Sequence, residues 1–376
     1  MKTLLFSFLL LLFIAQHSVV LSQSSLPTPD HIVIAILENY GYSDIIGSLA
    51  APYINELAND SLSAVFSESY AETHPSQPNY LVLYSGSTQG VTDNSVPTDN
   101  PFTTANLGRQ LIDSGKTFIS YCEDLPEVGY NEATSGYYAR KHNPVTNWMG
   151  TGTNQVSATL NQPFTAFQSN DFTTLPTVCY VVPNLENDMH NGSDPDRITT
   201  GDNWLYNKLG NYIQWAKTNN SLFILTFDEE GSTVENHILT IFVGEMVQSG
   251  EYSIKIKHHS ILHTIEEMYG LPYIGDSLSY GSITYCWKDN STTSISNTNK
   301  SEINIYPNPV HGSLFIEMSD YQGAYVEIFN LNGTLVKNIP VVSSQTTINT
   351  DGLLNGLYLL RIKTKDGIIQ RKIIRN

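Results

Sequence analysis

The sequence predicts an α/β fold, a three-layer α/β/α sandwich, followed by a small C-terminal all-β sandwich. Three observations lead to this prediction. Continuous apolar runs rich in β-branched residues recur along the first part of the chain, helical patterns separate them, and the pattern changes to short strands after residue 302. With 376 residues and 40% hydrophobic residues, the chain is long enough for two domains with separate cores.

The apolar runs are typical of strands that are buried on both faces, as in a parallel sheet covered by helices. They cover residues 31–37, 117–120, 177–182, 222–227 and 238–243. Helical patterns cover residues 51–59, 104–114, 202–219 and 260–269. Because strands and helices alternate, we expect helices on both faces of one central sheet.

The first 22 residues have the features of a signal peptide. Lys2 precedes an almost wholly apolar stretch, residues 4–15, and Ser22 ends a segment with small residues near a cleavage point. That stretch is too short to span a bilayer core of about 30 Å as a helix. We therefore expect an exported protein whose main domain occupies residues 23–287.

Residues 288–302 are polar, lack periodicity and predict a flexible linker. Short strand patterns follow over residues 303–376, with turn signals at Asn332-Gly333 and Asp366-Gly367. This spacing of strands and turns indicates a β-sandwich of its own.

Charge and cysteine content limit the partners and the chemistry. The net charge is −17, whereas residues 301–376 hold seven Lys or Arg and six Asp or Glu, so the excess negative charge lies in the first domain. Such a surface repels nucleic acid.

Cys122, Cys179 and Cys286 lack metal-ligand spacing, so the sequence leaves open one disulfide with a free thiol or three buried free thiols.

Polar residues follow several apolar runs directly, where ligands bind in an open α/β sheet. Glu38-Asn39 follows the first run, Glu123-Asp124 lies just after residues 117–120, and Asp228-Glu229 follows the run 222–227. Adjacent carboxylates repel each other unless a cation neutralises them. Asp228-Glu229 is therefore the strongest metal anchor, and Glu38-Asn39 alone is also compatible with an ordinary turn.

A proline-rich loop, Thr73-His74-Pro75-Ser76-Gln77-Pro78-Asn79-Tyr80, precedes a helical pattern. Ser76 is then close to a helix N-terminus, where N–H groups and the helix dipole favour an anion. Asn79 lies three residues on and can face the same way. A plain helix cap is the alternative role for Ser76.

Two more clusters carry cations and histidines. Arg140-Lys141-His142 forms a positive island in an acidic domain, which suits a phosphate dianion as well as a solvated turn. Asp188 and His190 follow the run 177–182, and His258-His259 precedes the helix near Ser260.

These clusters together resemble the phosphoesterase family that contains acid phosphatases and bacterial phospholipases C, within the alkaline phosphatase superfamily. The resemblance covers residues 31–280. The matching motifs are Glu38-Asn39, His74-Pro75-Ser76-Gln77-Pro78-Asn79-Tyr80, Glu123-Asp124-Leu125-Pro126, Arg140-Lys141-His142-Asn143-Pro144, Asn187-Asp188-Met189-His190 and Thr226-Phe227-Asp228-Glu229.

The resemblance implies a role for each matched residue. Ser76 would be the nucleophile, with His190 and His259 as further catalytic residues. Asn79, Lys141, His142 and Asp188 would bind the substrate. One divalent metal ion (Mg, Ca, Mn or Zn) would be held by Glu38, Asn39, Asp228 and Glu229. Glu229 stands where many superfamily members carry histidine, which argues against a second zinc ion.

The function implied is a secreted, metal-dependent acid phosphatase that hydrolyses small phosphate monoesters through a phosphoserine intermediate. A phosphodiesterase or phospholipase C acting on phospholipid headgroups is the alternative, and a non-catalytic surface binding protein is a third. The short first domain and the HPSQPNY form of the loop favour the phosphatase.

Residues 303–376 resemble the C-terminal sorting domain of the type IX secretion system. The matching segments are Ile305-Tyr306-Pro307-Asn308-Pro309, Glu327-Ile328-Phe329-Asn330-Leu331-Asn332-Gly333, Gly356-Leu357-Tyr358 and Arg371-Lys372-Ile373-Ile374. The resemblance implies that the type IX machinery is a partner and that the protein crosses the outer membrane to be secreted or held at the cell surface. An adhesion or carbohydrate-binding sandwich is the alternative for this region.

Overall fold

The computed structural model describes residues 26–167, 171–231, 233–276, 280–288, 303–318, 321–330, 334–364 and 367–376. The predicted signal peptide, residues 289–302 of the predicted linker and the turn residues Asn332, Gly333 and Asp366 lie outside these ranges. The chain divides into two compact units, Met1–Asp289 and Asn290–Asn376.

The first unit contains one large sheet and a small hairpin. Its strands are β1 (His31–Leu37), β2 (Ser63–Tyr70), β3 (Phe118–Cys122), β4 (Thr134–Ser135), β5 (Tyr138–Ala139), β6 (Asn161–Pro163), β7 (Val178–Val182), β8 (Ser221–Phe227), β9 (His237–Val243), β10 (Gly250–Tyr252) and β11 (Ile256–Lys257). Its helices are α1 (Tyr42–Ile45), α2 (Pro52–Ala58), α3 (Ser76–Ser85), α4 (Leu107–Asp113), α5 (Asp196–Ala216) and α6 (His258–Tyr269). Single 3₁₀ turns cover Arg140–His142, Pro144–Trp148, Ala158–Leu160, Phe164–Ala166 and Phe172–Thr174.

The sheet order is β10-β2-β9-β8-β1-β7-β3-β6, and β11 pairs with the far end of β2. The ladders β6-β3-β7-β1-β8 are parallel, whereas β9 is antiparallel to both of its neighbours, β8 and β2. The carboxyl ends of β1, β2, β3, β7 and β8 therefore lie along the same edge. The residues that follow these five strands are brought together there.

Alternate residues of β1 belong to two different cores. Ile32, Ile34 and Ile36 pack in one cluster with residues of α3, α4 and α6. Val33, Ala35 and Leu37 pack in the other cluster with residues of α2 and α5. Because successive side chains of a strand point to opposite faces, the sheet has helices on both sides, and the predicted three-layer α/β/α sandwich is confirmed.

Helix boundaries differ from the sequence prediction by a few residues. Helix α4 begins at Leu107 rather than residue 104, because the side chain of Asn106 accepts a hydrogen bond from the N–H of Arg109 and caps the helix there. Helix α5 begins at Asp196 rather than residue 202. Its first turn carries few apolar residues, so periodicity alone does not reveal it.

The second unit is all-β. Its strands are β12 (Asn304–Tyr306), β13 (Ser313–Glu317), β14 (Tyr325–Phe329), β15 (Leu335–Pro340), β16 (Gln345–Asn349), β17 (Gly356–Thr364) and β18 (Gly367–Arg375). Strands β12-β13-β16 form one antiparallel sheet and β15-β14-β17-β18 another, and both contribute to one core around Val326 and Leu360. This arrangement is the predicted small sandwich.

All three cysteines are buried and free, so of the two alternatives that the sequence left open, the structure has three buried thiols. Burial raises the pKa of the Cys122 thiol to about 12, which makes it a poor nucleophile. Among the described residues, no helix is both long enough and apolar enough to cross a membrane.

Candidate active site

The centre of the site lies where β1 and β8 end side by side. Leu37 pairs with Phe227 in the parallel ladder, and the N–H of Asp228 donates to the carbonyl of Leu37 at 3.0 Å. The chain turns sharply at Asn39, whose φ is 61°, and its N–H donates to Asp228 Oδ1 at 3.0 Å. The ladder therefore places Glu38 beside Asp228 and Glu229.

Ser76 is the first residue of α3, a helix in which all ten residues are buried. Its Oγ lies 3.1 Å from Glu38 Oε2 and 3.0 Å from Glu229 Oε1. A hydroxyl has one hydrogen and can donate to only one of these oxygens at a time. The nucleophile predicted from sequence therefore lies at a helix N-terminus, between carboxylates that come from the ends of two neighbouring strands.

Three buried carboxylates converge on this serine: Glu38, Asp228 and Glu229. Burial raises the pKa of Asp228 well above its ordinary value, and the charges of Glu38 and Glu229 raise it further. Burial also raises the pKa of Glu229, against the contact with His74. Asp228 Oδ2 is buried and has no hydrogen-bond partner among the residues that the structure describes. This donor set, with the Ser76 hydroxyl, fits a divalent cation, which prefers oxygen ligands. The side-chain nitrogen of Asn39 faces Glu38 Oε2, so Asn39 as a further ligand stays a prediction.

The second oxygen of Glu38 faces away from Ser76. Its Oε1 accepts from the Tyr80 hydroxyl at 2.7 Å and lies 3.0 Å from His142 Nε2. His142 Nδ1 lies 3.1 Å from Asp188 Oδ2. Both contacts are at ion-pair distance when the His142 ring is protonated.

Glu38 and His142 shift each other's pKa, because each carries a charge opposite to that of the other. Burial is the largest effect and opposes the charged form of Glu38, but His142, Lys141 and the Tyr80 hydroxyl together outweigh it and lower the pKa of Glu38 to about 2. Burial likewise opposes the charged form of His142, but Glu38 and Asp188 raise its pKa to about 9. Glu38, His142 and Asp188 form a buried cluster that could hold a metal ion.

Lys141 and His190 are half-buried, and Lys141 lies near Glu38. Lys141 Nζ lies 3.1 Å from His190 Nε2, and the charge of Lys141 contributes to the lowered pKa of Glu38. The N–H of His190 donates to Asp188 Oδ1 at 2.8 Å. The structure thus brings together Lys141, His142, Asp188 and His190 as the sequence predicted, but only Lys141 and His190 keep exposed surface. Substrate contact by His142 and Asp188 stays a prediction.

Asn79 lies on the first turn of α3, and its amide is engaged with the loop before the helix. Its Oδ1 accepts from the N–H groups of Glu72 and Thr73 at 3.0 Å each. Its Nδ2 donates to the carbonyl of Thr73 at 2.7 Å. These bonds hold the loop that carries Ser76, and the predicted contact of Asn79 with phosphate is untested.

His259 and its neighbour His258 have different surroundings. His259 stacks on Tyr280 and its Nδ1 lies 3.4 Å from Glu72 Oε2, whereas His258 reaches the end of β8. His258 Nε2 lies 2.8 Å from the carbonyl of Phe227, the residue before Asp228. Within the described part of the chain, its buried Nδ1 has no hydrogen-bond partner. Sequence reasoning chose His259 and did not assign His258. The adjacent pair was the available signal, but spacing could not tell which histidine points to the strand end.

His74 is a second residue that sequence reasoning left without a role. Its Nδ1 contacts Glu229 Oε2, and its Nε2 lies 2.8 Å from the carbonyl of Thr233. The other oxygen of Glu229 faces Ser76. His74 therefore orients a carboxylate of the site from within the same proline-rich loop that carries the serine.

The Glu123-Asp124 motif holds the loop that carries Asp188 and His190. Glu123 Oε2 accepts from Asn187 Nδ2 at 2.8 Å and from the N–H of Asn184 at 3.1 Å, while Oε1 accepts from Trp204 Nε1 at 2.9 Å. Asp124 Oδ2 accepts from Asn184 Nδ2 at 2.7 Å. These hydrogen bonds hold the loop in place, so the motif positions Asp188 and His190 indirectly.

Comparisons with known proteins identify the family of each part of the chain. Residues 49–272 match the Phosphoesterase family, and residues 304–376 match the Secretion system C-terminal sorting domain. The class of protein is therefore an enzyme that hydrolyses phosphoric esters. The chain belongs to the phosphoesterase family, as the sequence motifs predicted. Its tail indicates export through type IX secretion to the cell surface or beyond.

Individual relatives have related activities in their names. Over 270 residues the chain is 44% identical to a phosphatidylinositol-3-phosphatase of Mycobacterium tuberculosis, covering 72% of this chain and 86% of the relative. It is 27% identical to an acid phosphatase of Aspergillus fumigatus, covering 64% of this chain and 54% of that protein. A solved structure from Vibrio parahaemolyticus, a protein in the alkaline phosphatase superfamily, has a TM-score of 0.47 at 12% identity, covering 88% and 82% of the two chains.

Proposed function

We propose that this chain is a secreted, metal-dependent phosphatase that hydrolyses phosphate monoesters through a phosphoserine intermediate. The observation that carries the proposal is the position of Ser76. Its hydroxyl lies at the N-terminus of a buried helix and within 3.1 Å of two buried carboxylates. A serine needs such activation, because its hydroxyl is a weak nucleophile at its ordinary pKa.

The donor set fits one divalent ion, Mg, Ca, Mn or Zn, and the buried, unpartnered Asp228 Oδ2 supports this fit. Glu38, Asn39, Asp228 and Glu229 would hold the ion next to Ser76. When bound, it would lower the pKa of the serine hydroxyl and offset the negative charge of the phosphoryl group.

The chain's own residues account for the remaining steps. Ser76 Oγ gives its proton to a carboxylate beside it, Glu38 Oε2 or Glu229 Oε1, and forms a bond to phosphorus, while the bond from phosphorus to the ester oxygen breaks. Lys141 offers a positive charge to the phosphoryl oxygens. His190, next to Lys141 and half-buried, donates the proton that the leaving oxygen needs. Water then gives a proton to His190, which is now neutral, and attacks phosphorus. The bond from phosphorus to Ser76 Oγ breaks, and Ser76 Oγ takes back its proton from the carboxylate, which releases phosphate and free Ser76.

A lipid-linked monoester is a specific substrate candidate. The relative from Mycobacterium tuberculosis is named a phosphatidylinositol-3-phosphatase and aligns over most of its own length. A phosphate on an inositol ring is a monoester, so the same chemistry serves soluble and lipid-linked substrates. Hydrolysis of a phosphodiester in a lipid headgroup is the alternative.

The test compares wild type with Ser76→Ala on p-nitrophenyl phosphate, bis-p-nitrophenyl phosphate and vesicles containing phosphatidylinositol 3-phosphate. We expect kcat/KM on the monoester to fall by about 10³-fold or more in Ser76→Ala, since the nucleophile is lost. Ser85→Ala, at the other end of the same helix, is the matched control and should keep its activity.

Three outcomes decide between the alternatives. Wild-type activity in Ser76→Ala would exclude the phosphoserine route. Faster turnover of the diester than of the monoester would favour the phosphodiesterase. Full activity of wild type after dialysis against a chelator would exclude the metal, whereas loss and recovery with an added divalent ion would support it.

A further inference from the structure

The two oxygens of Glu38 have separate surroundings. Oε2 lies 3.1 Å from Ser76 Oγ and 3.3 Å from Asn39 Nδ2, on the reacting side of the site. Oε1 meets the Tyr80 hydroxyl and His142 Nε2, on the buried side. The contacts of Oε1 with Tyr80 and His142 fix the orientation of the carboxylate. Oε2 is left to face Ser76.

We infer that His142 is a positioning residue, a buried bridge between Glu38 and Asp188 that turns Glu38 Oε2 toward Ser76 and the metal ion. The inference rests on the proposed function, because it assigns a role in binding that ion. His142 would then act through Glu38 and not touch the substrate.

Packing and a backbone hydrogen bond hold His142 and its two partner carboxylates in place. The His142 ring stacks on Tyr80 with centroids 5.2 Å apart and an interplanar angle of 13°, and its side chain is 1% exposed. The carbonyl of Asp188 accepts a hydrogen bond from the N–H of Glu38 at 2.8 Å. Backbone and side chain thus connect the end of β1 to the loop after β7 twice.

Two other roles for His142 fit the geometry less well. A contact with substrate phosphate needs a ring nitrogen directed toward an accessible space, yet both nitrogens of this buried ring face carboxylates. A role as metal ligand needs one nitrogen and both carboxylates directed at a single point. Here each nitrogen faces a different carboxylate, which is the arrangement of a bridge.

The test uses Mn²⁺ alone as the probe and measures its binding by the electron paramagnetic resonance signal of the free ion. In His142→Gln the amide nitrogen can replace Nε2 and still donate to Glu38, whereas in His142→Asn it replaces Nδ1 and donates to Asp188 only. We expect His142→Asn to weaken Mn²⁺ binding about 10- to 100-fold and His142→Gln to restore most of it, as for groups that orient metal ligands.

Tyr80→Phe removes the hydroxyl that donates to Glu38 Oε1 beside the ion pair with His142, and it should weaken Mn²⁺ binding in the same direction. His237→Gln is the matched control, since His237 is half-buried and bonds the carbonyl of Ser67, and it should bind Mn²⁺ as wild type does. Circular dichroism without metal checks that each variant is folded. Tyr80→Phe tests the same oxygen if neither His142 variant folds.

Four results would overturn the inference. These are unchanged Mn²⁺ binding in folded His142→Asn, unchanged binding in folded Tyr80→Phe, equal weakening in His142→Asn and His142→Gln, or two Mn²⁺ per wild-type chain with one lost in His142→Asn. Failure of the proposed function would look different: wild type itself would bind no Mn²⁺ and would hydrolyse p-nitrophenyl phosphate in chelator.

Discussion

Glu72 lies between Lys257 and His259, at the start of the loop that carries Ser76. Its Oε2 is 2.9 Å from Lys257 Nζ and 3.4 Å from His259 Nδ1. The contact with His259 is the largest effect on this group; with Lys257 it outweighs burial and lowers the pKa of Glu72 from 4.5 to about 2. A carboxylate outside the reacting centre therefore connects the loop to the start of α6.

This lowered pKa predicts a pH-dependent stability. A group whose folded pKa is depressed stabilises the fold fully above its unfolded pKa, here 4.5, and loses that effect as the pH falls toward about 2. We expect Glu72→Gln to lower the free energy of unfolding by up to about 1 kcal/mol at pH 7, a small value because water screens these partly exposed pairs. Urea unfolding between pH 2 and pH 7 measures it.

The difference between wild type and Glu72→Gln should shrink steadily below pH 4.5. Glu127→Gln, at an exposed carboxylate, is the control for replacing a surface glutamate. A difference that grows on acidification would contradict the assignment of the ion pairs.

At the scale of elements, the side-chain amide of Asn79 holds the conformation of the loop before α3. Asn79 is 1% exposed, and its two polar atoms bond the backbone of Glu72 and Thr73. Because Ser76 lies between these residues and Asn79, the same bonds that close the loop also fix the serine at the first position of the helix.

Asn79→Ala should therefore destabilise the protein. Removal of the amide leaves buried backbone groups without partners, and we expect a loss of about 2–3 kcal/mol in the free energy of unfolding. Asn79→Asp keeps the accepting oxygen but sets a second oxygen against the carbonyl of Thr73, so it should destabilise the protein as well. Urea unfolding measures both, with KM for p-nitrophenyl phosphate determined in parallel.

The sequence prediction for Asn79 gives the opposite result. If the amide donates to the phosphoryl group, KM should rise in Asn79→Ala while the unfolding free energy stays at the wild-type value. The pair of measurements separates a residue that holds the loop from one that binds the substrate.

At the scale of the whole molecule, each unit has its own hydrophobic core. Two clusters cover the two faces of the first sheet, and a third is built only from residues after 302. A core of this kind is what allows a domain to fold by itself. Domain boundaries near residue 288 stay a proposal.

Removal of the second unit should therefore leave the catalytic unit active. We expect a chain that ends at residue 288 to keep kcat/KM on p-nitrophenyl phosphate within about twofold of the full chain and to unfold in one cooperative transition. Calorimetry of the full chain should show a second transition that the shortened chain lacks. An insoluble or inactive shortened chain would contradict the independence of the two units.

The sequence alone determined the fold class and indicated which polar residues lie at one edge of the sheet. Continuous apolar runs such as residues 31–37 can be satisfied only in a strand buried on both faces, and polar residues right after such strands must lie at one edge of a parallel sheet. That reasoning brought Glu38, Asp228 and Glu229 together, and the family resemblance added Ser76. The structure places Ser76 Oγ beside Glu38 and Glu229.

Only the tertiary structure decided what each polar group faces. His142 was predicted to bind substrate and is buried between two carboxylates, Asn79 bonds its own loop, and His258 rather than His259 reaches the strand end. Sequence spacing fixes which residues share a loop or a helix turn. The direction of a side chain depends on neighbours that are distant in the chain, and these become neighbours only when the fold is complete.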